Sequence, residues 1–206
     1  MLLLLRRFCT SNSNNAVFCD FSFVYIIWGL FLLTLRNREN MSKNKNQKRK
    51  AQLATRAKNE SFRFQVEFTR KQKGIDIMGM EQNLTTELDA ICQNGITDAL
   101  LYMARIIEGI RKELGFEQET DKCSLNGSLV PFILGITAIQ PNNTTYVPGI
   151  FTAQQPLQVT IAYDNEIRNQ AVNWMKANGY EISSYLGQPL LKLKNVRIVI
   201  KRVLKS

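Results

Sequence analysis

Histidine is absent from this chain of 206 residues. That absence removes Ser-His-Asp and Cys-His nucleophilic catalysis, imidazole acid–base chemistry and histidine metal sites. Cysteine is scarce. Cys9, Cys19, Cys92 and Cys123 include no C-x-x-C pair, so zinc and thioredoxin-like readings have no footing, and nothing demands an oxidising compartment. Acid is short too: 17 Asp and Glu stand against 27 Lys and Arg, a formal net charge of +10 with a pI near 9.6. Such a balance favours a polyanionic partner and is silent about fold. The length suffices for one domain with a real core.

Residues 1–40 differ in character from the rest of the chain. The stretch 16–35 carries Asp20 as its one charge and is succeeded by Arg36 and Arg38. Length and flanking charge fit a membrane-spanning helix with its C-terminal side in the cytoplasm, an inner-membrane anchor. The competing expectation is a mis-assigned start. Met41-Ser42-Lys43-Asn44-Lys45 reads as an ordinary cytoplasmic N-terminus, and the composition changes abruptly there. On that reading the protein is cytoplasmic, and a membrane is a partner only if residues 1–40 are real.

Residues 41–79 form a basic segment. Its cations include Lys43, Lys45, Lys48, Arg49, Lys50, Arg56, Lys58, Arg63, Arg70, Lys71 and Lys73. Its first part is polar and aperiodic, so disorder is expected. Phe62, Phe64, Val66 and Phe68 alternate with polar residues as in a strand, although a helix continuing from Gln52 fits equally. Lys48, Arg49, Lys50, Arg56 and Lys58 are the candidates for contact with a nucleic-acid backbone. A solubilising role for the same charge is the plain alternative.

Residues 80–206 read as a mixed α+β domain with a small sheet packed on helices. Leu84, Leu88, Ile91 and Cys92 mark one face of a helix over 81–93, and Gly95 comes after it. Thr97 is placed to cap a helix over 98–114 with Leu100, Met103, Ile107, Ile110 and Leu114 on its apolar stripe. The acids Glu87, Asp89, Glu108 and Glu113 read as a solvated face. Asp164 is placed to cap a helix carrying Ile167, Ala171, Val172, Trp174 and Met175. Strands are expected over 159–163, 180–185, 190–193 and 196–203.

Between these elements lies K-C-S-L-N-G-S-L-V-P-F-I-L-G-I-T-A-I-Q-P, residues 122–141. Ser128 fits the cap of a helix whose first turn contains Pro131. A Gly-Ser loop at a helix start directs free N–H groups and a positive dipole end at one spot, which suits a phosphate. Lys122, Ser124, Gly127 and Ser128 are therefore candidate phosphate ligands, although most turns of this kind bind nothing.

The order of these parts resembles the palm region of bacterial DNA polymerase III alpha subunits. The resemblance rests on L-x-x-E-L-D-A-I at 84–91, then Gly95, then G-S-L-V-x-x-x-L-G-I-T-x-I-x-P at 127–141, and it covers roughly half the chain. It implies a palm-like nucleotidyltransferase core whose loop holds the triphosphate of a nucleotide, with Arg168 falling on the family's helix arginine. It also implies a partner set of nucleic acid, nucleoside triphosphate or a replication-complex protein, in a replication or mobile-element setting. Where the family has the three aspartates of its metal-binding strand, this chain has Gln158, Thr160 and Ala162. Two-metal phosphoryl chemistry needs charged oxygen ligands. The expectation is therefore a protein without polymerase activity, with no catalytic residues, no metal ligands and no cofactor; Mg²⁺ would be expected only with the aspartates intact. Asp164 and Glu166 lie past the strand and are poor substitutes. The alternative reading is an interaction protein that keeps the fold and binds no ligand.

Overall fold

A computed structural model describes residues 21–152 and 156–203. The first half of the apolar leader, with Cys9 and Cys19, lies outside the described residues. The chain divides into two compact units, 1–54 and 55–206. Helix α1 (Phe21–Gln72) runs through the division.

The basic segment is thus helical where its composition suggests disorder. No glycine or proline falls between positions 41 and 73, and Ala, Gln, Lys, Arg and Leu are strong helix formers. Gly74, at φ 64°, lies just past the helix end. The alternation at 62–68 resolves into two helical faces. Phe62 and Val66, one turn apart, are buried, whereas Phe64 and Phe68 are exposed and stack with ring centroids 6.1 Å apart. No helix among the described residues is long and apolar enough to cross a membrane.

The unit 55–206 is α+β. Helix α2 (Glu81–Gln93) and helix α3 (Thr97–Leu114) form as their apolar stripes require. Thr97 does not cap α3: it is the first helical residue and buried, and Ile96 holds the cap position without a side-chain bond. Helix α4 (Leu129–Ile133) is a short turn of helix, and Gly135 at φ 78° ends the turn after it. Strand β1 (Leu157–Asp164) leads into helix α5 (Asn165–Ala177), where the Asp164 side chain accepts the N–H of Glu166 as the expected cap.

Strands β2 (Ile182–Tyr185), β3 (Gln188–Leu193) and β4 (Val196–Val203) complete a four-stranded sheet of order β1-β4-β3-β2. β1 and β4 are parallel; the other pairs are antiparallel. Val159, Ile161, Leu191, Ile198 and Ile200 belong to one buried core with Met103, Ile106 and Ile107 of α3 and Met175 of α5. The space left among the side chains there is only about 10 Å³, the dense filling typical of protein interiors.

An edge strand with bare N–H and C=O groups invites pairing by another chain. On β1 that edge is closed from within. Glu119 donates its N–H to the Ala162 carbonyl at 2.8 Å, and Ser124 donates its N–H to the Thr160 carbonyl at 3.0 Å. Ser124 Oγ in turn accepts the Thr160 N–H at 2.8 Å.

Candidate functional site

The free donors at the Gly-Ser loop are met from within the chain. Glu87 of α2 reaches the start of α4 with both carboxylate oxygens: Oε1 accepts the N–H of Leu129 at 3.0 Å and Oε2 that of Val130 at 2.8 Å. These are free donors of a helix's first turn, which the sequence alone offers to an outside phosphate. Glu87 is therefore no part of a solvated face; it is 5 % exposed. Burial raises its carboxyl from 4.5 to about 7, against the opposing pull of the Val130 and Leu129 N–H groups and the Ser128 hydroxyl. A signal for this is present in the sequence. Glu87 falls on the stripe 84-87-88-91, the spacing of a buried helix face.

The remaining loop residues divide between internal packing and the surface. Ser128 is fully buried and occupies the cap position without a side-chain cap bond. Its hydroxyl lies near enough to the Glu87 carboxyl to pull its pKa down, although it meets no partner in strict hydrogen-bonding geometry. Gly127, at φ 88°, accepts the Val147 N–H at 2.9 Å, and a Cβ there would stand 2.8 Å from the Thr145 carbonyl oxygen. Close backbone packing is enough to require glycine. Ser124 is bound to the edge of β1. Lys122 is exposed at the end of a 3₁₀ turn spanning Thr120–Lys122.

Arg168 is not brought to this loop. It is buried on α5, where Nη1 donates to Gln188 Oε1 at 3.1 Å and Nη2 to Asn169 Oδ1 at 3.2 Å. Desolvation, with a smaller push from Arg202, lowers its pKa. Of the aspartate-replacing positions, Gln158 is exposed, Thr160 is half-buried with its backbone tied to Ser124, and Ala162 is buried. No group of three or more potential metal-ligating side chains occurs among the described residues.

The basic helix divides into two sets of cations. Lys43, Lys45, Lys48, Arg49 and Lys50 are exposed, with no acid between positions 41 and 54, and none joins an ion pair among the described residues. From Arg56 onward the cations are largely committed. Arg56 pairs with Glu60 at 2.9 Å, Lys58 with Asp98, Arg63 with Asp89, and Arg70 with Glu67 at 2.6 Å. Those bonds to Asp89 and Asp98 dock the C-terminal part of α1 on α2 and α3 within the unit 55–206.

A second basic feature sits on the sheet. Lys192 of β3 lies directly opposite Arg197 of β4, and Gln158 of β1 continues the same cross-strand row. All three are exposed. Like charges directly opposite repel, and no carboxylate stands in the row to offset them.

No family model matches the chain, and no curated protein is similar to it.

Proposed function

We propose that this chain is a non-catalytic nucleic-acid-binding protein whose residues 80–206 form a divergent palm of the DNA polymerase III alpha type. The observation that carries the binding role is the acid-free run of exposed cations at 43–50 on α1. Cations without internal carboxylates retain their full attraction for phosphates and release condensed counterions on contact. The opposed Lys192 and Arg197 support the same role, since a repulsive pair is relieved by a polyanion.

The palm assignment rests on the G-S-L-V and G-I-T block and the order of its flanking helices. The replication or mobile-element setting and a cytoplasmic location follow from that assignment. Nucleoside triphosphate binding at the Gly-Ser loop has weak support, because Glu87 already holds the Leu129 and Val130 N–H groups. The lack of catalysis rests on residue identity: Gln158, Thr160 and Ala162 provide no charged oxygen, and a carboxylate at the buried Ala162 would lack solvation.

Fluorescence anisotropy with labelled DNA of unrelated sequences tests the role. Binding should show little sequence preference and weaken linearly in log–log form as salt rises, by about 0.9 log units per phosphate contacted and per decade of salt. Absence of binding at low salt would leave the interaction-protein reading in its place. Primer extension with Mg²⁺ or Mn²⁺ should yield no product, and product above contaminating-polymerase controls would defeat the non-catalytic part.

A further inference from the structure

The unit 55–206 has a polar groove of about 390 Å³ that nucleic-acid binding through residues 43–50 does not use. The C-terminal turns of α1, with Gln65, Thr69 and Gln72, and Lys73 just after them form one wall; α3 forms the other, with Arg105, Glu108 and Arg111. Leu134 and Gly135, after α4, close one end. We propose that this groove binds a small organic phosphate, with Lys73 and Arg105 as its charge partners.

Two observations point to an anion there. First, Lys73 and Arg105 are, with the exposed Lys71, the cations between positions 56 and 112 that hold no carboxylate among the described residues. Arg56, Lys58, Arg63, Arg70, Arg111 and Lys112 each hold one. Lys73 and Arg105 both line the one groove, Arg105 with its guanidinium 5.8 Å from the centroid of the exposed Tyr102 ring. Second, Lys73 is positioned. Its Nζ donates to the Ile133 carbonyl at 3.0 Å, leaving further N–H donors on the same ammonium. Gly135, at φ 78°, adjoins that ammonium, and its backbone conformation is what favours glycine there.

Glu108 is the one carboxylate in the lining, and it is held by Lys112 at 2.6 Å. Its charge is offset locally, so the excess in the groove is positive. The amides of Gln65 and Gln72 and the Thr69 hydroxyl offer hydrogen bonds to a polar body, and Leu101, Ala104 and Leu134 give it an apolar rest. The volume falls within the roughly 300–1,000 Å³ range of small-molecule sites. Phosphate carried by such a body, as in a nucleoside diphosphate or sugar phosphate, matches the groove's charge and its size. A backbone phosphate of a nucleic acid would share the charge chemistry alone.

Calorimetry on the full chain with pyrophosphate and with ADP tests this. Both should bind and compete. Lys73→Met and Arg105→Gln should each weaken binding about tenfold or more, as expected for loss of one charge-assisted hydrogen bond. Both residues are exposed, and unchanged melting temperatures would show that the fold survives. Lys122→Ala, on the Gly-Ser loop, should leave binding unchanged. Replacing Lys48, Arg49 and Lys50 by Gln should reduce DNA binding and leave ADP binding intact, which separates this site from the nucleic-acid role. Lack of heat with both probes at millimolar concentration overturns the proposal. So does binding that depends on Lys122 and is indifferent to Lys73 and Arg105, or an oligonucleotide that depends on those two residues while neither small probe binds.

Discussion

Glu87 Oε2 accepts the backbone N–H of Val130 at 2.8 Å, so a side chain from α2 supplies the acceptor that the start of α4 would otherwise seek outside. The arrangement has a consequence for pH. Burial raises this carboxyl in the folded protein from 4.5 to about 7. Between those values the folded chain holds a proton that the unfolded chain has lost. Stability contributed by this group is therefore present at low pH and falls as pH rises through about 7, by a few kcal/mol at most. Glu87→Gln cannot titrate. Denaturant midpoints of the wild type should decline from pH 5 to pH 8 relative to those of the variant. Parallel profiles would show that Glu87 does not govern the decline.

Gly109 of α3 touches the ring of Trp174 on α5. A Cβ at 109 would stand 2.5 Å from Trp174 Cη2 and 2.8 Å from Cζ2. The indole is not free to retreat, because Nε1 donates to Glu113 Oε2 at 2.7 Å. Glycine inside a helix normally costs about 1 kcal/mol relative to alanine, so the close helix approach outweighs propensity here. Gly109→Ala should destabilise by about 1–3 kcal/mol through overpacking. In a Trp174→Ala background the same change should become neutral or stabilising. A chemical-denaturation double-mutant cycle without that sign change would place the role of Gly109 elsewhere.

How far these contacts are legible in the sequence depends on how local they are. Helices α2, α3 and α5 follow from apolar stripes, and Asp164 caps α5 as its position implies, because both signals act within a turn or two. The strands over β1 and β4 follow from alternation for the same reason. Glu87 reads as a solvated acid because an acid in a buried stripe is ambiguous until its partner is known, and the partner lies more than forty residues away. Ser128 and Thr97 have the right chemistry for caps, yet neither makes a side-chain cap bond. The groove around Lys73 and Arg105 draws on α1, α3 and the turn after α4, so no local pattern announces it.

Leu186 occupies the left-handed region at φ 48°, beside Gly187 at φ 72°, in the two-residue turn joining β2 to β3. Two successive positive φ values make a tight hairpin turn in which Asn-Gly is favoured. A leucine there is strained by roughly 1–2 kcal/mol, and its side chain is 85 % exposed, so burial offers no return. Leu186→Asn should raise stability by about 1 kcal/mol and leave the sheet unchanged by circular dichroism. A fall in the thermal midpoint would mean that Leu186 packs in solution against something that outweighs the strain.

The division of the basic helix into uncommitted and paired cations leads to the sharpest test of the binding role. Lys48, Arg49 and Lys50 lie in the acid-free run, whereas Arg56 and Lys58 already hold Glu60 and Asp98. The carboxylate beside Arg56 or Lys58 offsets its attraction for a phosphate whether or not the pair itself, worth only about 0–1 kcal/mol to folding, stays closed. Replacing Lys48, Arg49 and Lys50 together by Gln should remove up to three phosphate contacts. The slope of log affinity against log salt should then become shallower by about 3 units on duplex DNA. Replacing Arg56 and Lys58 by Gln should change that slope by less than about 1 unit. Melting temperatures of the two variants, read in the same buffers, separate loss of binding from loss of fold. Equal slope changes per residue in the two variants would show that internal pairing does not withhold charge from DNA, and the uncommitted run would lose its special place.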